Sequence, residues 1–199
     1  MKKTLIISVL MMAAAAVMTG CVPEGDATTV EVNPDFHAKD NIKLDFNQLH
    51  NDAIDGIASI DNGEPFVFIA DLDIDGDADT KTLTVRATAI DGTSEDDCEN
   101  FASALLCQIN DAAVSQDPKY ETSSSDSFGT LYDDYTIDFA VSDENNGGFI
   151  YSLNVPAGEE IGLDPDYEKY VEQWEKELEI YKSNLVYDAN GNVVRDGNE

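Results

Sequence analysis

The sequence predicts an α+β domain. An antiparallel four-stranded sheet is covered on one face by helices in the order α-β-β-α-β-β, followed by a C-terminal amphipathic helix and a terminal hairpin. Three observations predict it. Apolar residues recur at helical spacing in three segments, they alternate at period two in four others, and turn-forming residues separate the members of each strand pair.

The first helical segment covers residues 46–60, where Phe46, Leu49, Ala53, Ile54, Ile57 and Ile60 share one face. Phe66, Phe68, Ala70, Leu72 and Ile74 then alternate with other residues. So do Leu83, Val85, Ala87 and Ala89, against Thr82, Thr84, Arg86 and Thr88. A short Asp- and Gly-rich connection suits an antiparallel pair. A second helix over residues 96–114 carries Phe101, Leu105, Ile109 and Ala112 on one stripe. After a polar loop, Tyr135, Ile137, Phe139 and Val141 form a third alternating run. Phe149, Tyr151, Leu153 and Val155 form a fourth, across the turn Asn145-Asn146-Gly147-Gly148. Four one-faced strands and two one-faced helices bury their apolar surfaces best as two layers. These elements place the globular domain at residues 44–157.

The tail, residues 158–199, opens with a punctuated helix. Asp164 suits the N-cap and Pro165 the first helical position, with Asp166 and Glu168 at the positive end. Tyr167, Val171, Trp174, Leu178, Tyr181 and Leu185 follow at spacings of four and three, a stripe holding the only Trp of the chain. Such a stripe packs on its own domain, docks on a partner or pairs with another copy. Two short β runs around Asn190-Gly191 then form a hairpin signature.

Charge narrows the partners. The 199 residues carry 41 Asp and Glu against 11 Lys and Arg, a formal charge of −30. Nucleic acid is excluded as a partner, because each phosphate contact needs a cation. The 42% apolar content, with 8 Phe and 8 Tyr, suffices for a core.

The N-terminus carries an address. Lys2 and Lys3 precede an uncharged stretch that runs to Gly20, and Cys21 follows. The apolar part, residues 5–18, is shorter than the ~20 residues a membrane-crossing helix needs, so the segment reads as a secretory signal peptide, residues 1–20. Val17-Met18-Thr19-Gly20-Cys21 resembles the lipobox of bacterial lipoproteins, with Met18 where Leu is usual. The resemblance implies cleavage before Cys21 and acylation of its sulfur and new amine. Several acyl chains, at about 0.8 kcal/mol per buried CH₂, anchor a protein firmly. The expected location is therefore exported and membrane-anchored, on the extracytoplasmic side. Cleavage removes Lys2 and Lys3, leaving 9 cations against 41 acids, a charge of −32. Residues 21–43 comprise the acylated Cys and a polar, aperiodic stretch with the composition of a flexible tether.

Two constellations are candidates for chemistry. Asp71, Asp73, Asp75, Asp77 and Asp79, with Gly76 at the sixth position, resemble DxDxDG calcium loops, in which alternate oxygens converge on one ion. Thr82 stands where an EF-hand has its bidentate Glu. The strand-flanked loops of FG-GAP propeller repeats match better, through Asp71, Asp73, Asp75 and Asp79, but the pattern occurs once. A regular strand competes with this reading, since same-face residues stand nearly 7 Å apart along it. Cys98 and Cys107 are candidates for a disulfide in an exported chain. Within one helix they would be separated by about 13.5 Å of rise, so a bond requires the helix to start after Cys98.

No nucleophile elbow, zinc spacing or phosphate loop is present, and the two histidines, His37 and His50, form no cluster in sequence. The expectation is a non-catalytic, lipid-anchored envelope lipoprotein acting as a binding or assembly module. It needs no cofactor, and its partners are the membrane, through the anchor, and another envelope protein. Tyr167, Val171, Trp174, Leu178 and Tyr181 are the candidate contact residues. The alternatives are a calcium-dependent binding domain built on residues 71–79 and an envelope hydrolase without a recognised motif.

Overall fold

The computed structural model describes residues 43–184, 186–187 and 193–195. The expected signal peptide, Cys21 and all of the expected tether but Lys43 lie outside the described residues, as does Leu185. Helix α1, Phe46–Ser59, starts where Asp45 accepts hydrogen bonds from the amides of Asn47 and Gln48. This N-cap satisfies two of the four donors a helix start leaves open. A 3₁₀ segment, Ile60–Phe66, leads to β1, Ile69–Asp77, and then to β2, Thr82–Ala89. Helix α2, Glu95–Gln116, begins in a capping box in which Ser94 and Asp97 satisfy each other's amides. The short α3, Leu131–Asp134, precedes β3, Thr136–Asp143, and β4, Phe149–Val155. Helix α4, Glu168–Asn184, and the small pair β5, Val186–Tyr187, and β6, Val193–Arg195, complete the described chain.

The chain is α+β, with a four-stranded sheet in the order β1-β2-β3-β4. The expected hairpins form, β1 with β2 and β3 with β4, both antiparallel. The sheet is nevertheless mixed and not antiparallel throughout, because β2 and β3 pair in parallel from Thr82↔Thr136 to Ala89↔Asp143. The physical reason is the 22-residue α2 between them. At 1.5 Å per residue it spans about 33 Å, enough to carry the chain back along the full length of β2. A strand that follows such a crossover lies parallel to the one before it.

The expected two layers are present. Ile74, Leu83, Val85, Ile137, Phe139 and Val141 from the sheet share one cluster with Leu49, Ala53 and Ile57 of α1 and Phe101, Leu105 and Ile109 of α2. Phe66, Phe101, Phe139 and Tyr151 continue it as successive ring contacts at 5.8 to 6.4 Å between centroids. The domain extends past residue 157, since Ile161, Leu163, Tyr167 and Tyr170 pack against the same core. The terminal strands form a separate two-stranded sheet and do not extend the larger one.

Candidate functional site

The start of α4 is set by α2. Ser103 Oγ donates to the Asp164 carbonyl, and Cys107 Sγ lies 3.6 Å from that of Pro165. These contacts hold residues 164–165 against α2 outside the helix, so α4 begins at Glu168 and Pro165 does not occupy its first position. Asp164 instead heads a turn, accepting from the Asp166 amide at 3.0 Å, and it pairs with Lys169 at 3.1 Å. Those two contacts hold its carboxyl below the ordinary carboxylate range.

Two tyrosines fasten α4 to the domain. Gln108 Nε2 donates to the Tyr167 hydroxyl at 3.3 Å, and the Tyr170 hydroxyl donates to the Pro65 carbonyl at 3.3 Å. The Tyr170 ring stacks on Phe66 at 5.8 Å. Burial pushes the Tyr170 phenol up to about 12, so it stays a neutral donor. Sequence spacing missed Tyr170, which lies off the four-and-three stripe. Its position three residues after Tyr167 was the available signal.

Beyond that first turn the stripe leaves the core. Val171, Trp174 and Leu178 are half-buried, Tyr181 is 46% exposed and its neighbour Ile180 61% exposed. Trp174 and Tyr170 line a groove of about 590 Å³ between α4 and the first turn of α2. Asp97, Glu99, Asp166 and Glu177 also line it, and its one cation, Lys169, is paired with Asp164 and with Asp166 at 3.2 Å. The groove therefore combines aromatic surface with unbalanced negative charge, a setting that favours apolar and cationic groups.

The aspartates of residues 71–79 occupy β1 and its following turn. Asp71, Asp73, Asp75 and Asp77 are exposed, while Ile74 between them is buried. The register sets the first three opposite Thr88, Arg86 and Thr84. Alternate residues of a strand stand nearly 7 Å apart, so the carboxylates are spread along an edge and not gathered about a point. Asp77 turns inward on its own backbone, accepting from the amides of Asp79 at 2.7 Å and Thr80 at 3.1 Å. Those bonds lower its carboxyl. Gly76 supplies no loop bend; it lies in the strand beneath the Phe46 ring. Among the described residues no group of three or more His, Cys, Asp or Glu is placed to hold a metal ion.

The disulfide expectation needs correction. Helix α2 starts at Glu95, before Cys98, so both cysteines lie in one helix on opposite faces, and both are unbridged and buried. Burial pushes the Cys98 thiol up to about 11, aided by Asp97 and Glu95, and that of Cys107 to about 12. Both belong to the buried core cluster, where the neutral thiol is the favoured form.

Sequence reasoning also missed Asn110. It is fully buried in α2, accepts from the Leu131 amide at 3.1 Å and donates to the Glu121 carbonyl at 2.9 Å, pinning the loop between α2 and α3.

Among the described residues no helix is long and apolar enough to cross a membrane. No protein-family model, no curated protein and no solved structure matches the chain.

Proposed function

We propose that this protein is a non-catalytic, lipid-anchored envelope lipoprotein that acts as a binding or assembly module and contacts its partner through α4. The observation that carries the contact surface is the division of the α4 stripe. Tyr167 and Tyr170 pack on the core, whereas Val171, Trp174, Leu178 and Tyr181 run outward with part of their apolar surface uncovered. Aromatic residues ringed by charge are the composition of interface centres, where a Trp or Tyr fills a pocket on the partner. The lipobox-like Gly20-Cys21 supports the anchor, and the charge of −30 supports a solvated exterior setting.

The test is recovery of a stoichiometric envelope protein with tagged full-length chain from a detergent extract. Recovery is lost in Trp174→Ala combined with Leu178→Ala and retained in Asp55→Asn, an exposed residue of α1. Equal recovery with all three chains, or none with any, defeats the assignment of α4. An intact initiator Met in native material, read by mass spectrometry, defeats the anchor.

A further inference from the structure

Carboxylates from two helices line the groove that holds Trp174. Asp96, Asp97 and Glu99 come from α2, Asp164 and Asp166 from the turn before α4, and Glu177 from α4 itself. Four of the six are engaged. Asp97 closes the capping box with Ser94, Asp164 and Asp166 share Lys169, and Glu177 accepts from Gln173 at 2.9 Å. Asp96 and Glu99 are exposed, and among the described residues their carboxylates form no ion pair. The ring beside them is also unanswered. Elsewhere in the fold lysines sit over aromatic faces, Lys81 over Tyr135 at 4.6 Å and Lys119 over Tyr120 at 4.5 Å. Among the described residues no cation sits over Trp174, although Trp is the ring that holds one best.

Charge complementarity selects the occupant. With six carboxylates against one ammonium, the groove repels a second acidic chain and attracts a cation. A Lys ammonium answers the charge as a point. A guanidinium also stacks flat on an aromatic ring and offers carboxylates a fork of donors, so it uses the ring and the acids together. We propose that the groove is the docking site of an arginine side chain carried by a basic segment of the partner, its guanidinium stacked on Trp174 and donating to Asp96 and Glu99. Arginine and Trp are the residue types that pair at the centres of interfaces. This assignment rests on α4 as the contact helix and adds the chemistry of what it contacts.

The experiment uses full-length protein in non-ionic detergent at physiological salt, with the end-blocked peptide Arg-Ala-Arg-Ala-Arg as probe. Calorimetry reads affinity, and the emission of Trp174, the only Trp of the chain, reads location. The peptide saturates and shifts that emission, and its citrulline counterpart, similar in shape but uncharged, binds about tenfold more weakly. Asp96→Asn combined with Glu99→Gln, both exposed, weakens the arginine peptide about tenfold, and Trp174→Leu about threefold. Asp71→Asn combined with Asp73→Asn removes the same charge from β1 and weakens it by no more than about twofold. An equal loss in that control means general attraction to an acidic chain and overturns the proposal. So does absence of binding, citrulline binding as tight as arginine, or binding that leaves Trp174 emission unchanged. Tetramethylammonium displacing the peptide at equal concentration points to a choline-type headgroup and overturns the arginine. The peptide measurement needs no partner, so it fails or succeeds apart from the recovery test of α4. Recovery lost in Trp174→Ala with Leu178→Ala but complete in Asp96→Asn with Glu99→Gln leaves α4 standing and removes the arginine.

Discussion

The ring of Phe46, at the start of α1, occupies the space in which a Cβ of residue 76 would stand, so Gly76 is the point where helix and edge strand come into direct contact. The neighbouring Tyr135 ring meets Phe46 edge-on at 6.0 Å, which leaves the ring little freedom to retreat. Gly76→Ala is therefore an overpacking change and should cost about 1–3 kcal/mol. Thermal melting checks it. Adding Phe46→Ala should recover part of the loss, and a double mutant no more stable than the sum of the two singles would show that the contact is not the cause.

Asn110 and Gly129 form a second such pair. The backbone of Gly129 has φ +83°, in the left-handed region, and its missing side chain leaves room for the Asn110 amide. Asn110→Ala strands the Leu131 amide and the Glu121 carbonyl. Leaving the buried Leu131 amide unpaired costs about 1–3 kcal/mol. The expected result is a lower melting temperature with faster hydrogen exchange at Leu131, while β2 and β3 keep their protection.

The division of α4 predicts a split between stability and binding. Tyr170→Ala removes the ring stacked on Phe66 and the bond to Pro65, and should cost about 1–2 kcal/mol, less than a fully buried ring. Trp174→Ala lies outside the core cluster and should change stability by no more than about 0.5 kcal/mol. Chemical denaturation with Trp174→Ala as destabilising as Tyr170→Ala would mean that the outer stripe belongs to the core.

The buried thiols predict an alkaline limit. An unfolded cysteine ionises near pH 8.5, whereas in the fold Cys98 and Cys107 are raised to about 11 and 12. The folded chain holds these protons more tightly, so their contribution to stability is whole below about pH 8.5 and falls as pH rises toward the folded values. Melting temperature should decline from about pH 8.5 upward, before the buried tyrosines add their own loss. The double variant Cys98→Ala, Cys107→Ala should flatten the first part of that decline. A thiol reagent should label neither residue until denaturant is added.

Much of this architecture was legible in the sequence. The alternation of Leu83, Val85, Ala87 and Ala89, and of Ile137, Phe139 and Val141, gave their strands and inward faces, because a strand with one buried face must alternate. The stripe of α2 was legible for the same reason at a different period. The start of α4 was not. Asp164 and Pro165 have the local chemistry of a helix start, yet Ser103 and Cys107, some sixty residues away in sequence, hold their carbonyls against α2.

By itself the sequence carried the charge, the lipobox-like leader and the inward faces of α2, β2 and β3, since these follow from residue types at short spacing. The alternation expected from Phe66 onward and at Phe149 did not hold: Phe66 lies in the 3₁₀ segment, and Ala70 and Phe149 are exposed. Tertiary structure alone decided that β2 and β3 run parallel, that the aspartates of residues 71–77 line an edge strand, and that Gly76 receives Phe46. It also decided that Cys98 and Cys107 share one helix with neither bridged. The reason is physical: periodicity records which way a side chain points, whereas pairing direction and close approach depend on where distant segments return in space.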